Sequence, residues 1–383
     1  MRPGEAQSGW ESEKLYSTGD EFFADVIAAM AIAQSSVDLE SYIFDADVLG
    51  NRIVEALAAA ARRGVQVRVL VDAIGSPLWR AAYEEALVHA GVRCKVYNEN
   101  VWGRFLASRG AANQRGVGWL FRRLNQRNHR KIVLIDGRVA WLGSMNVSRV
   151  HLRAELGDRA WRDTGVKVAG PGVSILQRSF EYIWADRVER LKLRRGMNRL
   201  ADSNASCVRL NTTRVLRRTF NLELRRMLQG AQRRVWVRSA YFVPNGPILR
   251  ALRQAACRGV DVRVLVPSHA DVVFMPWVAI ALYRHLLRSG VRIFEYQPSM
   301  LHAKNLVVDE WMTVGSSNLN HRSLFHDLES DILLYSEGAK SALLAQYEED
   351  FLKSVEVTVN SWGSVRPLRW LFGNVLLLFR YWL

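Results

Sequence analysis

The sequence predicts an α/β protein made of two tandem, pseudo-symmetric α-β-α sandwich halves that share one active site at their interface. Three observations predict it. The 383-residue chain repeats one long segment; each copy alternates β-like and helix-like stretches; and one His-x-Lys constellation recurs in the same order in both copies. The repeat is plainest where AAAARRGVQVRVLVDAIGS, residues 58–76, meets RQAACRGVDVRVLVPSHAD, residues 253–271. Upstream lie VDLESYIF (37–44) and VWVRSAYF (235–242), and downstream HAGVRCKVYN (89–98) and RSGVRIFEYQ (288–297). The offset between partners drifts only from 195 to 199, so both halves follow one plan.

Each half reads strand, helix, strand, helix, strand. The helix IVEALAAAARRG is apolar on one face and stops at Gly64, as its counterpart stops at Gly259. VRVLV is apolar and β-branched, the composition of a strand buried on both faces. Further along, an apolar strand follows His129 and another follows His302. The first turns at Asp136-Gly137, a type I′ hairpin signal, and the second at Asp309-Glu310. VVFMPWVAIALYRHLL, 272–287, reads as a buried helix or an acyl entrance. The polar stretch RLKLRRGMNRLADSNAS, 190–206, marks the seam, giving halves 1–200 and 201–383. The second half ends in an apolar tail, SVRPLRWLFGNVLLLFRYWL, expected to lie in a membrane interface or to pack as a last core helix.

Hydrophobic residues make up 49% of the chain and charged residues 23%, which is globular composition. Lys and Arg outnumber Asp and Glu by 53 to 37, a net charge of +16 that favours nucleic acid or an anionic membrane face. Cys94, Cys207 and Cys257 are odd in number and far apart, which argues against a disulfide framework or a structural zinc site. No signal-type apolar region opens the sequence and no run of 18 apolar residues occurs, so no spanning helix is expected.

The chemistry sits in NHRKIVLIDGRVAWLGSMN, 128–146, and LHAKNLVVDEWMTVGSSN, 301–318. Both place His, Lys, Asp, Ser and Asn in one order: His129, Lys131, Asp136, Ser144, Asn146 and His302, Lys304, Asp309, Ser316, Asn318. His to Lys is two residues and His to Asp seven in both, while His to Asn is 17 and then 16, a one-residue difference in the turn. Extended backbone alternates faces, so each His and Lys point the same way and the returning strand brings Ser and Asn back to them. Cation, imidazole, hydroxyl and carboxamide then converge, a set suited to a phosphoryl centre. Two such sets facing each other supply a nucleophile and an acid for in-line displacement. A lone His in a strand is ordinarily a satisfied core residue, and Asp is favoured at turns for backbone reasons alone, so the best role of Asp136 and Asp309 is structural, holding the hairpin or pairing with a nearby base. Recurrence of the whole set is what lifts it above that reading. Neither His has a His, Cys or carboxylate partner at metal-ligand spacing, and each adjacent lysine repels a cation, so no metal is expected.

These residues resemble the phospholipase D superfamily, whose signature is H-x-K-x(4)-D followed by G-S/G-x-x-N. H129-R-K-I-V-L-I-D136 with G143-S-M-N146 fits, and H302-A-K-N-L-V-V-D309 with G315-S-S-N318 fits again. The resemblance covers most of the chain. ESYIF, WRDTGVKVAGP, SAYFVPN and LHAKNLVVDEWMTVGSSNLNHRSL look most like bacterial cardiolipin synthases of the short type, without N-terminal spanning helices. It implies transfer of a phosphatidyl group from one phosphatidylglycerol to another through a phosphatidyl-histidine, with release of glycerol and no cofactor. It makes His129 the nucleophile and His302 the acid/base, with Asp136 and Asp309 completing the catalytic motifs. Lys131, Lys304, Asn146 and Asn318 would hold phosphate oxygens, Ser144 and Ser316 secondarily. Asp163 of WRDTG and Glu329 of HDLES match the carboxylates that orient the imidazoles, although each also reads as an ordinary turn or strand residue. One departure is Asn320, where relatives carry Asp; His321 and His326 lie close enough to compete for the acid's role.

The superfamily also contains lipid hydrolases, headgroup exchangers and nucleases. RFLASRGAANQRGVGWLFRRLNQRNHRK interleaves arginines with Trp119, Leu120, Phe121 and Leu124, as single-strand binders do and as interfacial segments do. The C-terminal tail, with Arg366, Arg369 and Arg380 among apolar residues, tips the expectation to anionic phospholipid and away from nucleic acid. The expected location is peripheral, on the cytoplasmic face of a bacterial cell membrane.

Overall fold

The computed structural model describes residues 9–99, 126–201, 207–272, 274–358 and 367–377. The first set of elements is β1 (Ser12–Tyr16), the helix Gly19–Ile32, β2 (Ser36–Ser41), the helix Val48–Arg62, β3 (Gln66–Asp72), β4 (Arg93–Tyr97), the hairpin β5 (Ile132–Ile135) and β6 (Val139–Gly143), β7 (Gly165–Ala169), and the helices Val173–Trp184 and Arg187–Arg199. The second is β8 (Val208–Leu210), the helix Arg214–Gly230, β9 (Arg234–Arg238), the helix Gly246–Cys257, β10 (Asp261–Pro267), the helix Met275–Leu287, β11 (Arg292–Tyr296), the hairpin β12 (Asn305–Val308) and β13 (Trp311–Gly315), β14 (Ser330–Leu333), the helix Glu337–Leu352, and β15 (Ser354–Val357).

Strand order states the repeat in space. The first sheet runs β1-β7-β6-β5-β2-β3-β4, and the second runs β8-β14-β13-β12-β9-β10-β11 with β15 added at its far edge. In each, three parallel strands linked by helices meet an antiparallel hairpin, β5 on β2 and β12 on β9.

The side chains explain the layering. In β3, Val67, Val69 and Val71 pack outward on Ile53, Leu57 and Ala60 of the neighbouring helix, while Leu70 faces the other way. That helix begins where the Asp47 carboxylate accepts from the N–H groups of Leu49 and Gly50. It ends at Gly64 with φ +90, and its counterpart ends at Gly259 with φ +87, a left-handed stop that favours glycine. The inner faces of the two sheets share one core, in which Leu142, Val166 and Phe180 join Trp236, Val314 and Tyr347. The helices Val173–Trp184 and Glu337–Leu352 lie in that middle layer, so each sheet carries helices on both faces, as the α-β-α expectation requires.

The helix Met275–Leu287 is buried along Val278, Ile280, Leu282 and Leu286, the buried-helix reading of that stretch. The helix Pro367–Leu377 packs on it so closely that a Cβ at Gly373 would stand 2.1 Å from the Trp277 carbonyl oxygen. Leu376 and Leu377 join the adjoining core, while Phe372 and Val375 remain exposed. Among the described residues no helix is long and apolar enough to cross a membrane. Trp102, Trp119, Leu120, Phe121, Arg122, Arg123 and Leu124, and the tail residues 364–366 and 378–383, lie outside the described residues.

Candidate active site

Two backbone bridges between the halves build the site. Asn128 pairs with Leu328 and Arg162 pairs with Leu301. His129 N–H then donates to the Leu328 carbonyl at 3.0 Å, and His302 N–H to the Arg162 carbonyl at 2.8 Å. Each motif histidine therefore sits one residue past a bridge, and so does the carboxylate of the opposite half, Glu329 or Asp163. His129 Nδ1 lies 3.1 Å from Glu329 Oε2 and 3.2 Å from the Ser316 carbonyl oxygen. A carbonyl only accepts, so Nδ1 carries the proton and Nε2 keeps its lone pair. His302 Nδ1 lies 2.7 Å from Asp163 Oδ2. The crossing of carboxylates between halves has no signature in sequence.

Lys131 and Lys304 are buried, and each donates to the carbonyl of its own motif histidine at 2.5 Å. Asn146 Oδ1 accepts from Ile43 N–H at 3.3 Å and Asn318 Oδ1 from Tyr241 N–H at 3.2 Å, which fixes both carboxamides by the same device. Tyr42 packs its ring 4.9 Å from that of His129, and Trp161 packs 5.1 Å from His302.

Electrostatics follow from burial and like charge. Burial, then Lys131 and Lys304, hold His129 well below the ordinary histidine value. Burial and Lys304 bring Lys131 down to about 7, and burial brings Lys304 down to about 8 against the pull of Asp163 and Glu329. Burial pushes Glu329 up to about 7. Asp163 goes the other way: His302, His151 and Lys304 outweigh its burial and hold it well below the usual carboxylate range. Burial and Lys304 bring His302 down to about 3 against the pull of Asp163. The site thus presents two neutral motif imidazoles, two lysines whose burial outweighs the carboxylates near them, and one firm anion, a field suited to a phosphate.

Several expectations need correction. Asp136 and Asp309, counted with the catalytic motifs but read from their turn positions as holding the hairpins, stand at the far ends of those hairpins. Asp136 accepts from the N–H groups of Gln34, Ser35 and Ser36, and Asp309 from those of Gln232, Arg233 and Arg234. Both have φ near +50, at +53 and +52, so they clamp the chain ahead of β2 and β9 from strained turns. The first turn is also not the two-residue type I′ form: Asp136, Gly137 and Arg138 separate paired Ile135 and Val139, against two residues between Val308 and Trp311. That extra residue is the difference between spacings of 17 and 16. Ser144 and Ser316, expected as secondary phosphate ligands, give their hydroxyl protons to the carboxylates beside the histidines. Ser144 Oγ donates to Asp163, and Ser316 Oγ donates to Glu329 at 2.5 Å.

His321 rests on Phe325, ring centroids 4.6 Å apart, while His129 faces Glu329 and His302 faces Asp163. Asn320 caps the short helix His321–Phe325 by accepting from Ser323 N–H at 2.9 Å, a role that Asp would fill equally well. The residue that sequence reasoning missed is His151. It is 1% exposed and joins Asp163 and His302 in a cluster whose ligand atoms lie within 4.8 Å of one another. Such a trio has the donor types of a metal site, yet Lys131 and Lys304 both bear on it with positive charge. Nothing in the spacing of VSRVHLRAEL marks it.

A family profile described as "Cardiolipin synthase, PLD-like domain" matches residues 26–184 and 224–355. The chain is 34% identical over 360 residues to cardiolipin synthase A of Pseudomonas aeruginosa, covering 93% of this chain and 70% of that protein. It is 30% identical over 357 residues to a cardiolipin synthase of Clostridium perfringens, covering 91% and 72%. Among solved structures, phosphatidylserine synthase of Haemophilus influenzae superposes with a TM-score of 0.67 at 13% identity, over 97% of this chain and 96% of that one, a likeness of fold. The two motifs, the two matching sheets and relatives at this identity over most of the chain agree: the protein belongs to the cardiolipin synthase family of phospholipase D-like proteins.

Proposed function

We propose that the protein is a cardiolipin synthase that joins two phosphatidylglycerol molecules through a phosphatidyl-histidine. The observation that carries this is the pair of histidine–carboxylate contacts crossing between halves, with two buried lysines beside them. His129 Nε2 attacks phosphorus, forming a P–N bond as the P–O bond to glycerol breaks. The anionic phosphodiester favours the protonated form of His302, which then gives its Nε2 proton to the departing glycerol oxygen. His302 then takes the proton from a hydroxyl of the second phosphatidylglycerol, whose oxygen attacks phosphorus and breaks the P–N bond. Lys131, Lys304 and the carboxamides of Asn146 and Asn318 hold the non-bridging oxygens while charge builds on them. Glu329 orients His129, and Asp163 orients His302, each from the opposite half.

The protein is a membrane-associated lipid enzyme, and the finer reading is peripheral attachment at the cytoplasmic face of a bacterial membrane. A net charge of +16 and the exposed Phe372 and Val375 support it, since cations meet anionic headgroups while apolar side chains enter beneath them. The test is incubation of purified protein with phosphatidylglycerol vesicles without added metal, followed by lipid mass spectrometry. Cardiolipin and glycerol are expected, with His129→Ala and His302→Ala each lowering turnover by about 10³-fold or more. Phosphatidic acid as the sole product would make it a hydrolase. Cleavage of single-stranded DNA with no lipid turnover would sink the lipid reading.

A further inference from the structure

The helix Arg214–Gly230 carries five arginines against one acidic residue, Glu223, and that residue pairs with Arg209. The helix buries Leu216, Leu224 and Leu228 against the second sheet. It leaves Arg214, Arg218, Leu222 and Arg225 exposed, a stripe at helical spacing. The stripe forms one side of a groove of about 330 Å³, and Asn245, Pro247, Ile248 and Phe325 line the rest with Arg217 and Asn221. That volume falls among small-ligand sites, which span roughly 300–1,000 Å³. Leu222 is 42% exposed and Phe325 36%, so the groove leaves apolar surface uncovered. No acidic residue lines it, and among the described residues Arg214, Arg218 and Arg225 make no ion pair. Cations without counter-charges thus border an apolar cleft.

We propose that this groove binds an anionic phospholipid that is not consumed, with its phosphate on Arg214, Arg218 and Arg225 and an acyl chain on Leu222, Ile248 and Phe325. The occupant follows from the two surfaces together. A polynucleotide or inorganic phosphate would meet the guanidinium groups and leave the apolar wall in water. A neutral lipid would cover the wall and leave the cations unmet. A lipid with an anionic phosphate head answers both. No residue of the groove belongs to either His-x-Lys motif, yet one segment joins it to the active site. Arg217 donates to the Phe325 carbonyl at 2.6 Å and to the His326 carbonyl at 3.3 Å. Next, Asp327 accepts from Arg127 N–H at 3.0 Å, Leu328 N–H donates to the Arg127 carbonyl at 2.8 Å, and Glu329 faces His129. A lipid seated in the groove therefore holds the bilayer beside the His129 edge of the interface. The inference rests on the membrane-associated reading of the protein and on no step of the transfer chemistry.

The test uses the full chain and phosphatidylcholine vesicles carrying a minor fraction of phosphatidic acid. Arg218→Ala/Arg225→Ala should weaken vesicle binding about tenfold or more. Arg52→Ala/Arg62→Ala removes the same charge from exposed sites on the helix Val48–Arg62, in the outer layer of the other half, and should weaken it less than twofold. Equal losses in the two double variants would reduce the attraction to general surface charge and overturn the proposal. A second measurement reads the acyl chain. With Cys257→Ser removing the exposed thiol, an environment-sensitive fluorophore is attached at Leu222→Cys. Bromine on the chains of phosphatidic acid should quench it, and the same fraction of brominated phosphatidylcholine should not. Equal quenching by both lipids would mean unselective immersion and would overturn the site. So would a fluorophore that responds to inorganic phosphate or an acidic peptide as strongly as to the lipid. Wild-type protein that binds these vesicles selectively yet makes no cardiolipin removes the transfer reading and leaves this site standing.

Discussion

The lysines hold the free-energy cost of this site. Among the described residues neither Lys131 nor Lys304 makes an ion pair; each faces the other and donates to a carbonyl of its own motif. A lysine whose folded value falls from 10.5 to about 8, as that of Lys304 does, opposes folding by roughly 3 kcal/mol while the chain around it must hold the charge. The unfolded chain binds the extra proton between about 8 and 10.5, so that opposition is complete below about 8 and fades as pH rises to 10.5. Lys304→Met should therefore abolish turnover yet raise the melting temperature by a few degrees at pH 6.5, with the gain shrinking towards pH 10. Thermal melts at the two pH values check it, and a variant that melts lower at both would show that the lysine stabilises the fold.

At the scale of elements, the motif is a hairpin whose two ends do different work. His, Lys and Asn occupy the end at the interface, and Asp136 and Asp309 occupy the other. Burial works against the Asp136 charge, but the N–H groups of Ser36, Ser35 and Gln34 outweigh it and hold the carboxyl down to about 2. Asp136→Asn should cost about 1–2 kcal/mol and lower the melting temperature by a few degrees, while kcat stays within about twofold. Loss of turnover in a variant that melts like wild type would return Asp136 to the chemistry. The hairpins and the parallel strands were legible in sequence because their pattern is local: alternation, a glycine stop, a turn. The edge strands were not. β1 pairs with β7 and β8 with β14, so their partners lie far along the chain, and β8 has only three residues. His151 escaped for the same reason, since its meaning depends on Asn146 and Asp163 folding around it.

For the whole molecule, the halves are held in register by charge as well as by the shared core. Asp350, 1% exposed on the helix Glu337–Leu352, lies between two buried arginines, Arg162 at 2.8 Å and Arg238 at 2.8 Å. Arg162 comes from the first half; its Nη1 donates to the Asp163 carbonyl at 2.7 Å, and its own carbonyl accepts from His302 N–H at 2.8 Å. The triad thus fixes the backbone that sets Asp163 against His302. No sequence pattern announces it, because the pairs span 188 residues for Arg162–Asp350 and 139 for Asp163–His302. Asp350→Asn leaves two buried cations with no anion between them, a change of about 3–5 kcal/mol. Arg238→Met leaves Arg162 and Asp350 as a balanced pair and should cost less, even though it also gives up the 3.0 Å hydrogen bond from Arg238 to Asn305 Oδ1. Chemical denaturation of the two variants should therefore rank Asp350→Asn as the less stable. Its remaining folded fraction should turn over lipid more slowly than wild type, because Asp163 is no longer held against His302. Equal losses of stability would mean that packing rather than charge fixes the helix at the interface. Wild-type turnover in the folded fraction would mean that the two bridges, Asn128 with Leu328 and Arg162 with Leu301, align the site without the triad.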